Sequence, residues 1–227
     1  MQPDNINDIG ALNAICRPGP LQAHLDEQYN DTKNGKKELI EPLPKTLDIV
    51  QDTYGAIIYQ EQVMAISVKV CGFNANQSDS IVRKIIGKKK KDKLAMLRRM
   101  MIYGKINQEG PEGWHDNNSM PWYDPKRQYG DEIDGALKRG YTYEQMDNFF
   151  NLLMGFAEYC FNKSHAMCYA YLGYITAFLK PHYPIQFMTA LLSMQDDQDK
   201  IYKYVNIARD MDIEVKAPDI NISYRLF

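Results

Sequence analysis

Lys163, His165 and Tyr169 stand close together in Cys160-Phe-Asn-Lys-Ser-His-Ala-Met-Cys-Tyr169, where a loop turns into a helix. Asn162 or Ser164 can cap that helix by accepting backbone N–H bonds. The helix runs on through Ala166, Tyr169, Ala170, Tyr174 and Ala177 towards Lys180, and Pro181 is expected to end it. Lys163 and His165 therefore lie at a helix N-terminus, where unpaired amides and the macrodipole favour an anion. His165 and Tyr169 are four residues apart and share a face. A cation, an imidazole and an aromatic ring at one helix end suit a phosphorylated base. The same residues also suit a capped core helix with a stacked His/Tyr pair, the commoner arrangement.

A second cationic cluster lies about 80 residues earlier. Between Arg83 and Arg99 there are nine basic residues and one acid, Asp92, although the net charge of the whole chain is only −2. A local field of that size steers polyanions. The spacing puts Arg83 and Lys84 on a helix just before Gly87, and Lys88, Lys89 and Lys90 in the loop after it. Such a group suits a triphosphate or a nucleic-acid backbone, and equally a solvated helix face. A third candidate, Arg17, is fixed at the corner Arg17-Pro-Gly-Pro20. From there its guanidinium can reach a phosphate or pair with a carboxylate.

The chain has 227 residues, 44% of them hydrophobic and 25% charged, which fits a globular domain and excludes a low-complexity segment. No apolar run approaches the ~20 residues of a membrane span, and the N-terminus has no signal pattern, so a cytoplasmic protein without membrane partners is expected. Cys16, Cys71, Cys160 and Cys168 form no CxxC pair and read as reduced thiols. Cys160, His165 and Cys168 lack a suitably spaced fourth ligand, so no metal site is expected.

The elements that must carry these residues are helical. Periodicity predicts helices over 4–16, 21–34, 46–52, 60–71, 80–86, 92–104, 131–139, 142–154, 163–180, 185–193 and 200–211. Thr142 and Gln145 form a capping box, and Gln60 and Gln62 read as surface residues. Tyr54 to Ile58 and Asp212 to Lys216 are short extended segments. Residues 105–130 hold both tryptophans, Trp114 and Trp122, with three prolines and three glycines. They are too long for an ordinary connection and read as an insertion or lobe boundary packed by its aromatics. The expected fold is all-α, with at most one or two short strands. It divides into an N-terminal half at 1–104 with the basic helix-loop, the insertion at 105–130, and a C-terminal half at 131–227. The apolar finish Leu226-Phe227 reads as a chain stopping inside a larger protein.

Four motifs stand in order: Arg17-Pro-Gly-Pro-Leu21, Tyr54-Gly-x-Ile-x-Tyr-Gln-Glu-Gln-Val-Met64, Arg83-Lys-x-x-Gly-Lys-Lys-Lys90 and Phe161-Asn-Lys-Ser-His-x-x-x-Tyr169. Lys180-Pro-His-Tyr-Pro184 and Pro218-Asp-Ile-Asn221 follow. From about residue 2 to residue 224 the chain closely resembles the fingers region of the bacterial C-family replicative DNA polymerase. The resemblance implies a multi-helix fingers domain, part of a nucleotidyltransferase that adds dNMPs to a primer end during DNA replication. It implies dNTP binding by Arg17, Arg83, Lys84, Lys163, His165 and Tyr169, while Lys88, Lys89 and Lys90 are expected on the DNA backbone from their charge and their place in the loop. It implies as partners template–primer DNA, dNTP and the palm and other domains, and, through regions not in this chain, a sliding clamp and replisome proteins.

Departures from the family are informative. The family usually has two arginines where this chain has Arg83-Lys84, and lysine lacks the bidentate fork. The length of 105–130 and the presence of Cys71, Met167 and Cys168 are atypical, which fits a phage or prophage version better than a housekeeping one. The family's two-metal chemistry uses palm aspartates, including an Asp-x-Asp pair upstream of the fingers, and nothing in this chain matches that motif. Asp196-Asp197 and Asp210-x-Asp212 are in the wrong place. Mg²⁺ is therefore expected on the palm, with no catalytic residue in this chain and no polymerisation by it alone. The alternative is a free-standing helical DNA-binding or polymerase-docking protein derived from that domain.

Overall fold

In the computed structural model, residues 1–86, 91–104, 133–156, 160–217, 219–221 and 223 are described. Among them the architecture is helical, as the periodicity predicts, and the only β-type pairing is one parallel bridge between Tyr59 and Phe161. The chain forms two compact units, Met1–Tyr169 and Ala170–Phe227.

The first unit begins with α1 (Ile6–Ile15), capped by the Asn5 side chain, which accepts from the Asp8 amide at 3.0 Å. Arg17 is extended, and Pro18 then opens α2 (Pro18–Gln22) rather than only closing α1. A proline at the first helical position loses no bond, because that amide has no intrahelical acceptor. The continuous helix expected over 21–34 is broken. His24 adopts a left-handed conformation (φ 54°) between α2 and α3 (Leu25–Lys33). α4 (Leu47–Val50) passes into a 3₁₀ turn, Gln51–Thr53. α5 (Gln60–Cys71) stops at Gly72 with φ 76°. Asn74 caps α6 (Ala75–Gln77), which continues through the π-helical stretch Ser78–Arg83 into α7 (Lys84–Ile86). α8 is Lys91–Tyr103 and α9 is Tyr143–Phe156. The Thr142 box at the head of α9 forms as expected, with Thr142 N to Gln145 Oε1 at 2.9 Å and Gln145 N to Thr142 Oγ1 at 3.2 Å.

One helix predicted from the sequence is absent. Of the helix expected over 131–139, the described part is a tight turn. Gly135 (φ 77°) opens it, Gly140 (φ 89°) closes it, and the Tyr141 amide bonds back to Ala136 O at 3.1 Å. Gly135 is needed for a second reason. It passes so close to Gly104 that a Cβ there would run into backbone. The residues on either side of 105–132 are thereby held together, with Ala136 N donating to Met101 O at 2.8 Å. The expected insertion 105–130, with Trp114 and Trp122, lies outside the described residues.

The core of this unit is one cluster that joins α1, α5, α8 and α9 through residues such as Ile15, Val63, Ile66, Leu97, Met101, Met146 and Phe149. Two polar knots are buried with it. Asp8, 1% exposed, accepts from Tyr29 Oη at 2.8 Å and pairs with Lys33. Gln62 is also buried, at 5%, which corrects its reading as a surface residue. Its Oε1 accepts from the Ile58 and Tyr59 amides, both at 2.9 Å, and its Nε2 donates to Thr53 Oγ1 at 2.7 Å. The Ile58 and Tyr59 amides take no part in the bridge to Phe161, and without the Gln62 acceptor they would be orphaned.

α10 (Lys163–His182) begins in the first unit and continues into the second. It runs past Pro181 by one residue. The second unit also contains α11 (Pro184–Ser193) and α12 (Gln198–Asp210), which pack on each other and bury Met188, Leu192 and Ala208. Asp212 to Lys216 is not a strand, and Asp212 takes a left-handed turn at φ 58°.

Candidate functional site

The Tyr59–Phe161 bridge sets the geometry of the site. Phe161 N donates to Ile58 O and Gln60 N donates to Phe161 O, each at 2.9 Å. Because the pairing is parallel, α5 and α10 begin side by side, immediately after the two paired residues. Two helix starts at one place concentrate partial positive charge there. Asn162, not Ser164, is the cap: its Oδ1 accepts from the His165 amide at 2.8 Å.

The chain itself supplies an anion to this position. Glu61, in the first turn of α5, accepts from the Lys163 amide at 2.9 Å and from Asn162 Nδ2 at 2.8 Å. Sequence reasoning did not single out Glu61, because its partners are 101 and 102 residues away. Its position in the first turn of a helix was the one available signal.

Rings and cations line the start of α10. The Lys163 Nζ lies 5.8 Å from the centre of the Tyr59 ring. Phe161 meets His165 edge-on at 5.3 Å, and His165 meets Tyr169 at 4.7 Å, the shared face that the spacing predicts. Tyr169 is 59% exposed, so this is an open stack, not the buried pair of a core helix. Arg17 covers the Phe161 ring at 4.3 Å, and its Nε donates to Ala14 O at 3.2 Å. Burial lowers the Arg17 pKa. Next to it, burial pushes the Cys160 thiol up to about 12, against the opposing pull of Arg17. A thiol so raised is a poor nucleophile at neutral pH.

The other cationic half stands on the π-helical stretch. The Ser67 and Ser78 hydroxyls, 2.9 Å apart, fix that stretch against α5. Arg83 and Lys84 are both exposed. Asp79 holds Arg83 with two bonds, Nε to Oδ1 at 2.5 Å and Nη2 to Oδ2 at 3.1 Å. The hydrogen bond that Arg83 donates to Asp79 raises the Arg83 pKa, with the Asp79 charge next and the charge of Glu61 adding to it. Lys84 helps to lower the Asp79 pKa, after the bond from Arg83. Glu61 thus accepts from the backbone amide of Lys163, and its charge adds to what holds Arg83 protonated. Lys88, Lys89 and Lys90 lie outside the described residues.

Residues 1–109 match the family described as the bacterial DNA polymerase III alpha subunit finger domain. The chain belongs to that family. Over its full length it is 38% identical to a DNA polymerase III subunit alpha from Saccharopolyspora erythraea and 36% identical to one from Borreliella burgdorferi, covering 17% of each. It is 34% identical to the subunit alpha from Aquifex aeolicus over 98% of the chain and 16% of that protein. The finger domain described here therefore spans about one-sixth of the length of the relatives it matches.

The donor set of this finger-domain surface does not fit Mg²⁺. Both Glu61 oxygens accept from Asn162 and Lys163, and both Asp79 oxygens accept from Arg83. Among the described residues no three His, Cys, Asp or Glu groups converge as a metal site would require. Also among them, no helix is long and apolar enough to cross a membrane. A separate concavity of about 610 Å³ is lined by Lys45, Lys69, Arg139 and Tyr141. Its cations are partly neutralised: Lys69 by Asp48 at 2.6 Å and Arg139 by Asp134 at 3.2 Å.

Proposed function

We propose that the chain works as the fingers of a DNA-directed DNA polymerase and takes the triphosphate of an incoming dNTP at the paired starts of α5 and α10. Arg83, Lys84 and Lys163 neutralise the phosphates. His165 and Tyr169 offer an aromatic face to the nascent base pair. Arg17 acts from behind, holding Phe161 against His165. Lys88, Lys89 and Lys90 take the template–primer backbone.

The observation that supports this reading most is the convergence on Glu61. Two helix N-termini meet at one carboxylate, as they would around a phosphate, and the charge of that carboxylate is felt by Arg83. Fixed cations and amides of this kind align a triphosphate and absorb charge as it leaves, which is positioning and electrostatic work. Mg²⁺, when bound by the palm carboxylates, would supply the remaining charge stabilisation, and this chain by itself does not polymerise. The purified chain with Mg²⁺, primer–template and dNTPs should give no extension, and detectable extension would refute that part. In the complete polymerase, a photoreactive dNTP analogue in the ternary complex should label the segment 160–169. Labelling confined to other segments would refute the nucleotide site.

A further inference from the structure

Each half of the proposed triphosphate surface already holds a carboxylate, on the Arg83 guanidinium in one and on the first amide of α10 in the other. Asp79 grips Arg83 by two bonds, with the two side chains 51% and 46% exposed. Glu61 spans the Asn162 side chain and the first amide of α10. Neither carboxylate is locked in an apolar interior, so water can solvate each one when it is displaced. An arriving phosphate therefore meets neither a bare Arg83 guanidinium nor a free helix-start amide. It exchanges for a carboxylate at each half.

We infer that Glu61 and Asp79 are built-in counter-ions of the nucleotide surface, an inference that rests on the triphosphate reading above. In the empty state they hold the start of α10 and the fork of Arg83 in place. When nucleotide binds, phosphate oxygens replace them. When the α–β bond of the triphosphate has broken and pyrophosphate leaves, they return and compete with it. Both act through other groups, so they are positioning residues. Their effect is to keep the grip on phosphate weak enough for release. A purely structural role predicts the opposite sign: removing either charge would then loosen phosphate binding.

That difference in sign is the test. In the complete polymerase, inhibition by inorganic pyrophosphate and the dNTP dependence of single-turnover incorporation are measured for D79N and E61Q, beside R83A and K163A. D79N and E61Q should tighten pyrophosphate inhibition about 2- to 5-fold, the range expected for losing one exposed competing charge. R83A and K163A should weaken it. If R83A and K163A weaken it while D79N and E61Q leave it unchanged or weaker, the counter-ion role is overturned and the triphosphate surface stands. If R83A and K163A change neither pyrophosphate inhibition nor dNTP dependence, the triphosphate surface itself fails, and the counter-ion role with it.

Discussion

The first unit contains two sets of carboxylate–cation contacts, built in opposite ways. Asp8 meets Lys33 and Tyr29 inside the fold, with the Asp8 side chain 1% and the Lys33 side chain 7% exposed. Asp79 meets Arg83 at the surface, and Glu61 meets the start of α10 where solvent can enter. The chemistry of the pairs is alike, but the cost of separating them is not. A buried pair that loses one member leaves an uncompensated charge in the interior. A surface pair that separates exchanges its partner for water or for a ligand at little cost. The inner set fixes the fold, and the outer set is exchangeable and therefore available for binding.

The largest expected effect falls on the inner set. Asp8→Ala leaves the buried Tyr29 hydroxyl without its acceptor and Lys33 with only Asp4 and the Gln2 carbonyl, and should destabilise the unit by about 3–5 kcal/mol in denaturant unfolding. A loss no larger than that of an ordinary surface substitution would make the two sets equivalent. Gln62→Ala leaves the buried amides of Ile58 and Tyr59 without an acceptor, and should cost about 2–4 kcal/mol in the same assay.

Acid sharpens the comparison. Burial alone would raise the Asp8 pKa, but the bonds from Lys33, the Asp4 amide and Tyr29 outweigh it and hold the carboxyl at about 2. A carboxyl with a depressed folded pKa contributes stability that is complete above its unfolded value, about 3.9, and that is lost as pH falls through the folded value. Asp8 should therefore contribute a loss of stability between about pH 4 and pH 2. That component should be missing in Asp8→Asn, measured by pH-dependent unfolding.

The smallest effect on stability is expected from Arg83→Ala, because its ion pair is exposed. Its melting temperature should stay near that of the unmodified protein. A marked drop would mean that the Asp79–Arg83 pair belongs with the inner, structural set.

This division was only partly legible in the sequence. The helix at 60–71, the helix from 163 to about 180, a cap at Asn162 or Ser164 and the His165–Tyr169 face follow from local signals: periodicity, capping residues and i,i+4 spacing. The two polar knots and the Glu61 bridge do not. Asp8 finds Tyr29 and Lys33 at separations of 21 and 25 residues, and polar residues at such separations look like surface. Gln62 reads as surface for the same reason, whereas its side-chain amide serves the Ile58 and Tyr59 amides that the bridge to Phe161 leaves unbonded. The helix expected at 131–139 failed at Gly135, where the close approach of Gly104 fixes the backbone and outweighs local propensity. The motif resemblance reached the family where periodicity could not, because it carries long-range pairing that single residues do not show.

The central claim is that the paired starts of α5 and α10 hold the phosphates of an incoming nucleotide. The most direct test is a single-turnover dNTP titration of the complete polymerase carrying Lys163→Ala or Arg83→Ala, with primer–template affinity measured alongside. The account predicts that either variant requires about 5- to 50-fold more dNTP for half-maximal incorporation, the loss expected for one charge-assisted contact, while DNA affinity changes much less. An unchanged dNTP dependence in both variants, or a loss confined to DNA affinity, would contradict it.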